Sequence, residues 1–167
     1  SGTAAKFYKP TGIVSDGINL YVTDKFNHTI RKIVISSGEV TTLAGLAGIS
    51  GTTDGTGTTA KFYRPTGITT DGTNLYVTDT YNHTIRKIVI SSGEVTTLAG
   101  LPGTSGSMDG PGVSASFNIP ALGITTDGSN LYVADKLNNT IRRISIATGE
   151  VSTLAGSSGT SGTSDGI

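Results

Sequence analysis

The sequence predicts an all-β fold, a β-propeller in which each chain contributes three four-stranded antiparallel blades and oligomerisation completes the ring. Three observations predict it: one unit occurs three times, each copy holds four β-rich runs, and glycine-containing turns separate the runs at fixed places. The chain 1–167 is therefore expected to be a single repeat domain, with blades at about 5–59, 60–114 and 115–167.

The strands of the first copy can be located one by one. A short strand at 12–15 follows a proline, and Asp16-Gly17 then supplies the positive φ of a tight hairpin turn. The run 20–23 is the second strand, the β-branched run 29–35 is the third, and 40–43 is the fourth. Both faces of this sheet are apolar, so we expect blades to stack on both sides. The long loop 45–59 then crosses to the next copy.

The three copies are very similar to one another. The phenylalanines at position 7 and its equivalents are 55 residues apart, and the third copy gains one residue within 120–123. Residues 27–45 are identical to residues 82–100. Such identity indicates a recent amplification or a deliberately symmetric repeat. Ser1 fits the repeat poorly and is expected to remain from tag removal, so the chain is interpreted as a three-blade fragment or an engineered symmetric protein.

The motifs in each copy resemble those of a known family. The first copy resembles the NHL repeat, which is named for an Asn-His-Leu triplet. The matching segments are Pro10-Thr11-Gly12-Ile13, Asp16-Gly17, Leu20 to Asp24 and Asn27 to Arg31. The corresponding triplets here are Asn27-His28-Thr29, Asn82-His83-Thr84 and Asn138-Asn139-Thr140. The leucine is absent from all three and the histidine from the third, which weakens a shared role for the histidine. The resemblance implies a propeller, usually six-bladed, and no single activity.

Ring closure is the open question, because propellers have about four to eight blades. The end of the sequence, Asp165-Gly166-Ile167, is in phase with its beginning, Gly2 to Phe7. An open arc would expose two apolar blade faces, which monomers rarely do. The chain is therefore expected to bind copies of itself, as a homodimer with six blades or, alternatively, a homotrimer with nine.

Composition excludes several classes of partner. Twelve basic and 12 acidic residues give no net charge, which argues against nucleic-acid binding. There is no cysteine, and no apolar run approaches the ~20 residues that span a membrane. No cofactor is expected. The sequence does not determine localisation, although composition and resemblance favour a bacterial extracytoplasmic parent.

The second turn of each blade holds the candidate ligand-binding residues, because function tends to lie on loops over a rigid scaffold. They are Phe26, Asn27, His28, Tyr81, Asn82, His83, Leu137, Asn138 and Asn139. Metal binding by the histidines is the less favoured reading, since a metal needs several ligands at one place. The favoured one is that the asparagine adopts the positive φ of the turn and the histidine covers the blade edge.

A second set of residues is expected to be structural. Aspartate and arginine flank each second turn and would meet across the two strands, which is favoured over a catalytic acid. The phenylalanines of the crossing segments are expected to pack between blades. The set is Asp24, Arg31, Asp79, Arg86, Asp135, Arg142, Phe7, Phe62 and Phe117. Asp54, in the long loop, is interpreted as a turn residue rather than a calcium ligand.

These observations favour a non-catalytic scaffold that assembles with itself. A binding module for protein or glycan, using the loops around the central channel, is the alternative. A propeller hydrolase or lyase is the third possibility and is disfavoured, because no catalytic residues, Ser/His/Asp grouping or cysteine nucleophile can be identified.

Overall fold

The computed structural model describes residues 2–166 and shows three consecutive blades within them. Ser1, assigned to tag removal, and Ile167, the last residue of the expected third blade, lie outside the described residues. The first blade contains β1 (Pro10–Ser15), β2 (Asn19–Asp24), β3 (Thr29–Val34) and β4 (Val40–Ala44). These strands are antiparallel neighbours in sequence order.

The second and third blades repeat this meander and add a short fifth strand. The second contains β5 (Gly55–Thr56), β6 (Pro65–Thr70), β7 (Asn74–Asp79), β8 (Thr84–Val89) and β9 (Glu94–Ala99). The third contains β10 (Gly110–Pro111), β11 (Pro120–Thr126), β12 (Asn130–Asp135), β13 (Thr140–Ser145) and β14 (Glu150–Ala155). β5 pairs with β9 and β10 with β14, so the crossing loop covers the outer edge of the blade that it leads into.

The first turn of each blade is organised by its aspartate. In the first blade the Asp16 carboxylate accepts hydrogen bonds from the amides of Ile18 and Asn19, at 2.8 and 2.6 Å, and from the Tyr21 hydroxyl at 2.8 Å. Gly17 has φ of 91°, as a tight hairpin requires. Burial raises the pKa of Asp16, but these bonds lower it well below its usual range.

The second turn differs from the expectation. Its first three residues form a 3-10 turn, Lys25–Asn27 in the first blade, and the positive φ falls on the next residue, His28, at 59°. His83 and Asn139 have the same φ. The prediction that the asparagine of Asn27-His28 takes the positive φ is therefore wrong. Its side chain faces inward to hydrogen-bond Asp24, and the turn closes one residue later.

The core consists of two layers, one between each pair of adjacent blades. Tyr21 and Ile30 of the first blade pack against Phe62, Leu75 and further residues of the second. The second layer is built from equivalent residues of the second and third blades, including Tyr76, Ile85, Phe117, Leu131 and Ile144. Phe62 and Phe117 are fully buried in these layers. One side of the first blade and one side of the third have no blade packed against them within 2–166.

The inner strands approach one another closely. A Cβ on Gly12 would lie 2.4 Å from the carbonyl oxygen of Thr66, and a Cβ on Gly67 would lie 2.6 Å from that of Leu122. The inner strand of every blade has a register shift after its proline, and the extra residue of the third copy lengthens this shift in β11, between Pro120 and Ile124. Each of these glycines therefore lets one inner strand lie against the next.

Candidate functional site

The aspartates at the second turns are buried and each is bound to an arginine. The Asp79 carboxylate accepts hydrogen bonds from the Tyr63 amide at 2.7 Å, the Asn82 side-chain amide at 2.7 Å and Arg86 Nη1 at 2.9 Å. Arg31 Nη1 lies 3.1 Å from Asp24, and Arg142 Nη1 lies 2.9 Å from Asp135. Burial raises the pKa of Asp79, while the Arg86 guanidinium opposes that rise. Each carboxylate is held by a permanent cation, an arrangement typical of a structural role.

A second aspartate joins the arginine in two of the blades. Arg86 Nη2 lies 2.6 Å from Asp54, and Arg142 Nη2 lies 2.7 Å from Asp109. Sequence reasoning missed this contact, because it joins residues more than 30 positions apart. The recurrence of an aspartate before glycine in each crossing loop was the available signal.

The histidines connect neighbouring blades. His28 Nδ1 accepts a hydrogen bond from the Arg64 amide at 3.0 Å, and His83 Nδ1 accepts one from the Ile119 amide at 3.2 Å. Burial lowers the pKa of His28, and the Arg64 charge lowers it further; burial also lowers the pKa of His83. Within residues 2–166 no group of three His, Asp or Glu side chains is placed to hold a metal ion.

The asparagines of the second turns are also engaged. The side-chain amides of Asn27, Asn82 and Asn138 donate to the aspartates three residues earlier, at 2.8, 2.7 and 2.7 Å. Asn82 also donates to the Gly51 carbonyl and Asn138 to the Gly106 carbonyl, which ties the crossing loops to the turns.

The surface formed by the second turns, here called the loop face, combines aromatic rings with cations. Lys9 Nζ, Lys25 Nζ and the Arg64 guanidinium lie 5.2, 5.5 and 4.9 Å from the centre of the Phe26 ring. Arg64 also lies 4.8 Å from the Tyr81 ring. In the third blade the equivalent aromatic position is Leu137, which is exposed. The structure thus brings Phe26 and Tyr81 into contact with the same guanidinium, that of Arg64.

The uncovered sides of the outer blades form two apolar surfaces. The front face belongs to the first blade and consists of Ile13, Leu20, Val22, Ile33 and Val40. The back face belongs to the third blade and consists of Tyr132, Ile141, Leu154 and Ala155.

These faces correspond to surfaces that are packed together inside the chain. The equivalents of the front face in the second blade are Ile68, Leu75, Val77, Ile88 and Val95, all buried in the first layer. Ile13 is 61% exposed whereas Ile68 is 7% exposed, and Ile141 is 41% exposed whereas Ile85 is 0% exposed. A front face and a back face therefore have the same residue positions that pack against each other at the blade interfaces within the chain.

No helix in residues 2–166 has the length and hydropathy to cross a membrane. The histidines of the second turns thus link neighbouring blades, while the asparagines and aspartates hold each turn to its arginine and crossing loop. Within residues 2–166 the two apolar faces and the loop face are left uncovered.

Known proteins share both the repeat and the fold. Residues 62–88 match the NHL repeat. NHL repeat-containing protein 2 from Bos taurus is 34% identical over 161 residues, which is 89% of this chain and 22% of that protein. The chain thus spans about a fifth of the length of this relative.

Two solved structures of proteins from Bacteroides thetaiotaomicron are similar to the structure of this chain. A structural genomics protein of unknown function has a TM-score of 0.66 and 29% identity, covering 75% of this chain and 32% of its own. An auxiliary nutrient binding protein has a TM-score of 0.67 and 18% identity, covering 87% of this chain and 35% of its own, so its likeness shows the fold alone. The structural neighbours are β-propellers. The fold and the repeat thus agree, and the chain belongs to the NHL-repeat β-propeller family.

Proposed function

We propose that this protein is a non-catalytic propeller scaffold that joins copies of itself, front face to back face, into a closed ring. The observation that carries the proposal is that Ile13 on the front face and Ile141 on the back face are exposed, whereas their equivalents Ile68 and Ile85 are buried at the internal blade interfaces. Burying apolar area contributes roughly 25 cal/mol per Å², so the hydrophobic effect that stabilises the two blade interfaces within the chain would also favour association of two chains.

Contact between unlike faces can close a ring or grow a filament. A closed homodimer would have six blades and a homotrimer nine, and we favour the dimer. Size-exclusion chromatography with light scattering should give about 34 kDa for two chains of 17.0 kDa, or about 51 kDa for three. A single species of 17.0 kDa at tens of micromolar would contradict the proposal.

A matched pair of variants tests which surface is used. Ile13→Asp places a charge on the front face and should produce monomers, because an unpaired charge in an apolar interface is costly. Ile18→Asp changes a residue that is 71% exposed in the first turn, outside the front face, and should leave the assembly unchanged. Dissociation by both variants, or by neither, would show that the front face is not the contact.

The non-catalytic part of the proposal is supported by the arginines bound to the buried aspartates. Each of these carboxylates accepts hydrogen bonds from an arginine and from the turn, so it is not free to exchange a proton with a substrate as a general acid or base must. A screen with ester, phosphate and lactone substrates should give no turnover above buffer. Turnover that co-purifies with the protein and is lost in Asp79→Asn would overturn this part.

A second candidate function is binding of a protein or glycan at the loop face. It is favoured by the three cations around the Phe26 ring, which suit an acidic partner such as a uronic-acid oligosaccharide. Calorimetry with an acidic tetrasaccharide should show binding that Phe26→Ala weakens and the neutral sugar lacks. Equal heats for the acidic and neutral sugars would refute it.

A further inference from the structure

The three blades differ in how the outer end of their arginine is bound. In the second blade Arg86 Nη2 donates to Asp54 at 2.6 Å and to the Thr53 carbonyl at 3.1 Å. In the third blade Arg142 Nη2 donates to Asp109 at 2.7 Å and to the Met108 carbonyl at 2.9 Å. Both arginine side chains are 1% exposed.

The same aspartates also fasten the crossing loop to the outer strand. Asp54 accepts hydrogen bonds from the Thr97 amide at 3.1 Å and the Thr97 hydroxyl at 3.0 Å. Asp109 accepts the same pair from Thr153, at 3.0 and 3.1 Å. The next residue, Gly55 or Gly110, then pairs with the outer strand. Aspartate and glycine together form a latch between loop and blade.

The first blade has the arginine and the threonine that bind this latch, but among residues 2–166 no latch aspartate is bound to them. Arg31 Nη1 donates to Asp24 and to the Lys6 carbonyl, and within residues 2–166 no carboxylate is bound to its Nη2. The Arg31 side chain is 15% exposed, and Thr42, the equivalent of Thr97, is exposed. The outer edge of β4 has no fifth strand among the described residues.

An aspartate followed by glycine at the same repeat position occurs near the opposite end of the described residues. Asp165-Gly166 holds the repeat position of Asp54-Gly55 and Asp109-Gly110. In the described part of the chain the Asp165 carboxylate has no hydrogen bond or ion pair. The first and third blades pack on opposite sides of the second, so Asp165 lies away from Arg31 of its own chain.

We infer that Asp165 of one copy binds Arg31 and Thr42 of a second copy, while Gly166 extends the outer edge of that copy's first blade. This inference rests on the proposed front-to-back assembly and names the polar contact that fixes its register. Among residues 2–166 the arginine site of the first blade lacks the carboxylate at Nη2 that the other two sites have, and the second copy would supply it.

The histidine contacts point in the same direction. At both internal interfaces a side chain of one blade accepts the amide of the residue before proline in the next blade, Arg64 or Ile119. Lys9 is the equivalent residue of the first blade and has the same left-handed φ, 53° against 55° and 54°. Asn139 of the second copy, at the histidine position, offers a side-chain oxygen to the Lys9 amide.

Cysteine cross-linking tests the contact directly, because the chain has no cysteine of its own. Asp165→Cys and Thr42→Cys are made as separate variants, mixed in equal amounts and oxidised with oxidised glutathione. The mixture should give a disulfide-linked dimer on a non-reducing gel, and neither variant alone should. Mixing Asp165→Cys with Thr97→Cys is the matched control and should give none, because Thr97 is bound to Asp54 of its own chain.

An intramolecular standard makes a negative result decisive. The double variant Asp54→Cys, Thr97→Cys should oxidise within one chain, which shows that this geometry accepts a disulfide. If the standard forms and the Asp165–Thr42 mixture does not, the inferred latch is wrong.

A binding measurement separates the latch from the assembly itself. Asp165→Ala should raise the dissociation constant of the assembly about tenfold, since about 1.4 kcal/mol is lost with a partly exposed charged contact. Ser164→Ala should leave it unchanged. An assembly that persists with an unchanged constant in Asp165→Ala would refute the latch but keep the ring. A monomeric wild-type chain would refute both.

Discussion

Removing Asp79 should destabilise the protein much more than removing Asp54, although both carboxylates bind the same arginine. Asp79 is fully buried, and Asp79→Ala leaves the Arg86 guanidinium without its buried counter-ion. Breaking a buried ion pair in this way costs about 3–5 kcal/mol. The Asp54 side chain is 47% exposed, and an exposed pair contributes about 0.2–1 kcal/mol. The difference between the two variants should therefore be at least about 2 kcal/mol.

Urea unfolding followed by circular dichroism measures this difference in the free energy of unfolding. All proteins are compared at one concentration, because the proposed association would add to apparent stability. Asp79→Asn keeps an acceptor for the Tyr63 amide and should lie between the two alanine variants. Equal losses for Asp79→Ala and Asp54→Ala, with unchanged m values, would refute the reasoning, because burial would then not determine the value of the pair.

Three further outcomes are expected. Burial raises the pKa of Asp71, but hydrogen bonds lower it to about 2. The contribution of Asp71 to stability should therefore be complete above the pKa of the unfolded chain, 3.8, and should be lost as the pH falls toward 2. In a series of Tm measurements, Asp71→Asn should flatten this acid limb. Burial and a neighbouring carboxylate raise the pKa of Tyr21 to about 12, so stability should fall as pH rises from 10 toward 12. Tyr76 and Tyr132 also have raised pKa values, so Tyr21→Phe should reduce this loss, and an undiminished loss would contradict the assignment. Gly67→Ala should cost about 1–3 kcal/mol in urea unfolding, because its Cβ would meet a backbone carbonyl of the next blade, whereas Gly162→Ala, with open space around it, should change stability by less than about 0.5 kcal/mol.

The blade could be predicted from the sequence because its determinants are local. Asp16-Gly17 specifies a hairpin turn by itself, and β-branched runs favour strands wherever they occur. The fifth strand could not be predicted. Gly55 and Thr56 have no strand signature, and they pair with β9 only because the crossing loop runs along the outer edge of the blade.

The roles of the polar residues were less predictable than their positions. Asp24 and Arg31 are close in sequence, so their contact follows from a hairpin. The contact between Asp54 and Arg86 depends on how a 15-residue loop, 45–59, crosses between blades, and no local rule describes that path. The left-handed φ at His28 likewise follows from the inward hydrogen bond of Asn27, which exists only once Asp24 is buried.

The close approach of the inner strands also bears on the size of the proposed ring. A blade has the shape of a wedge when it touches its neighbour closely at the centre of the propeller and is separated from it by side chains at the rim. A wider wedge angle closes the circle with fewer blades. Gly12 and Gly67 bring the inner strands to distances at which a Cβ would overlap the neighbouring backbone. The outer strands are separated by layers that contain Phe62 and Phe117. Small residues inside and phenylalanines further out both widen the wedge, which is the direction that the proposed six-bladed ring requires relative to one of nine.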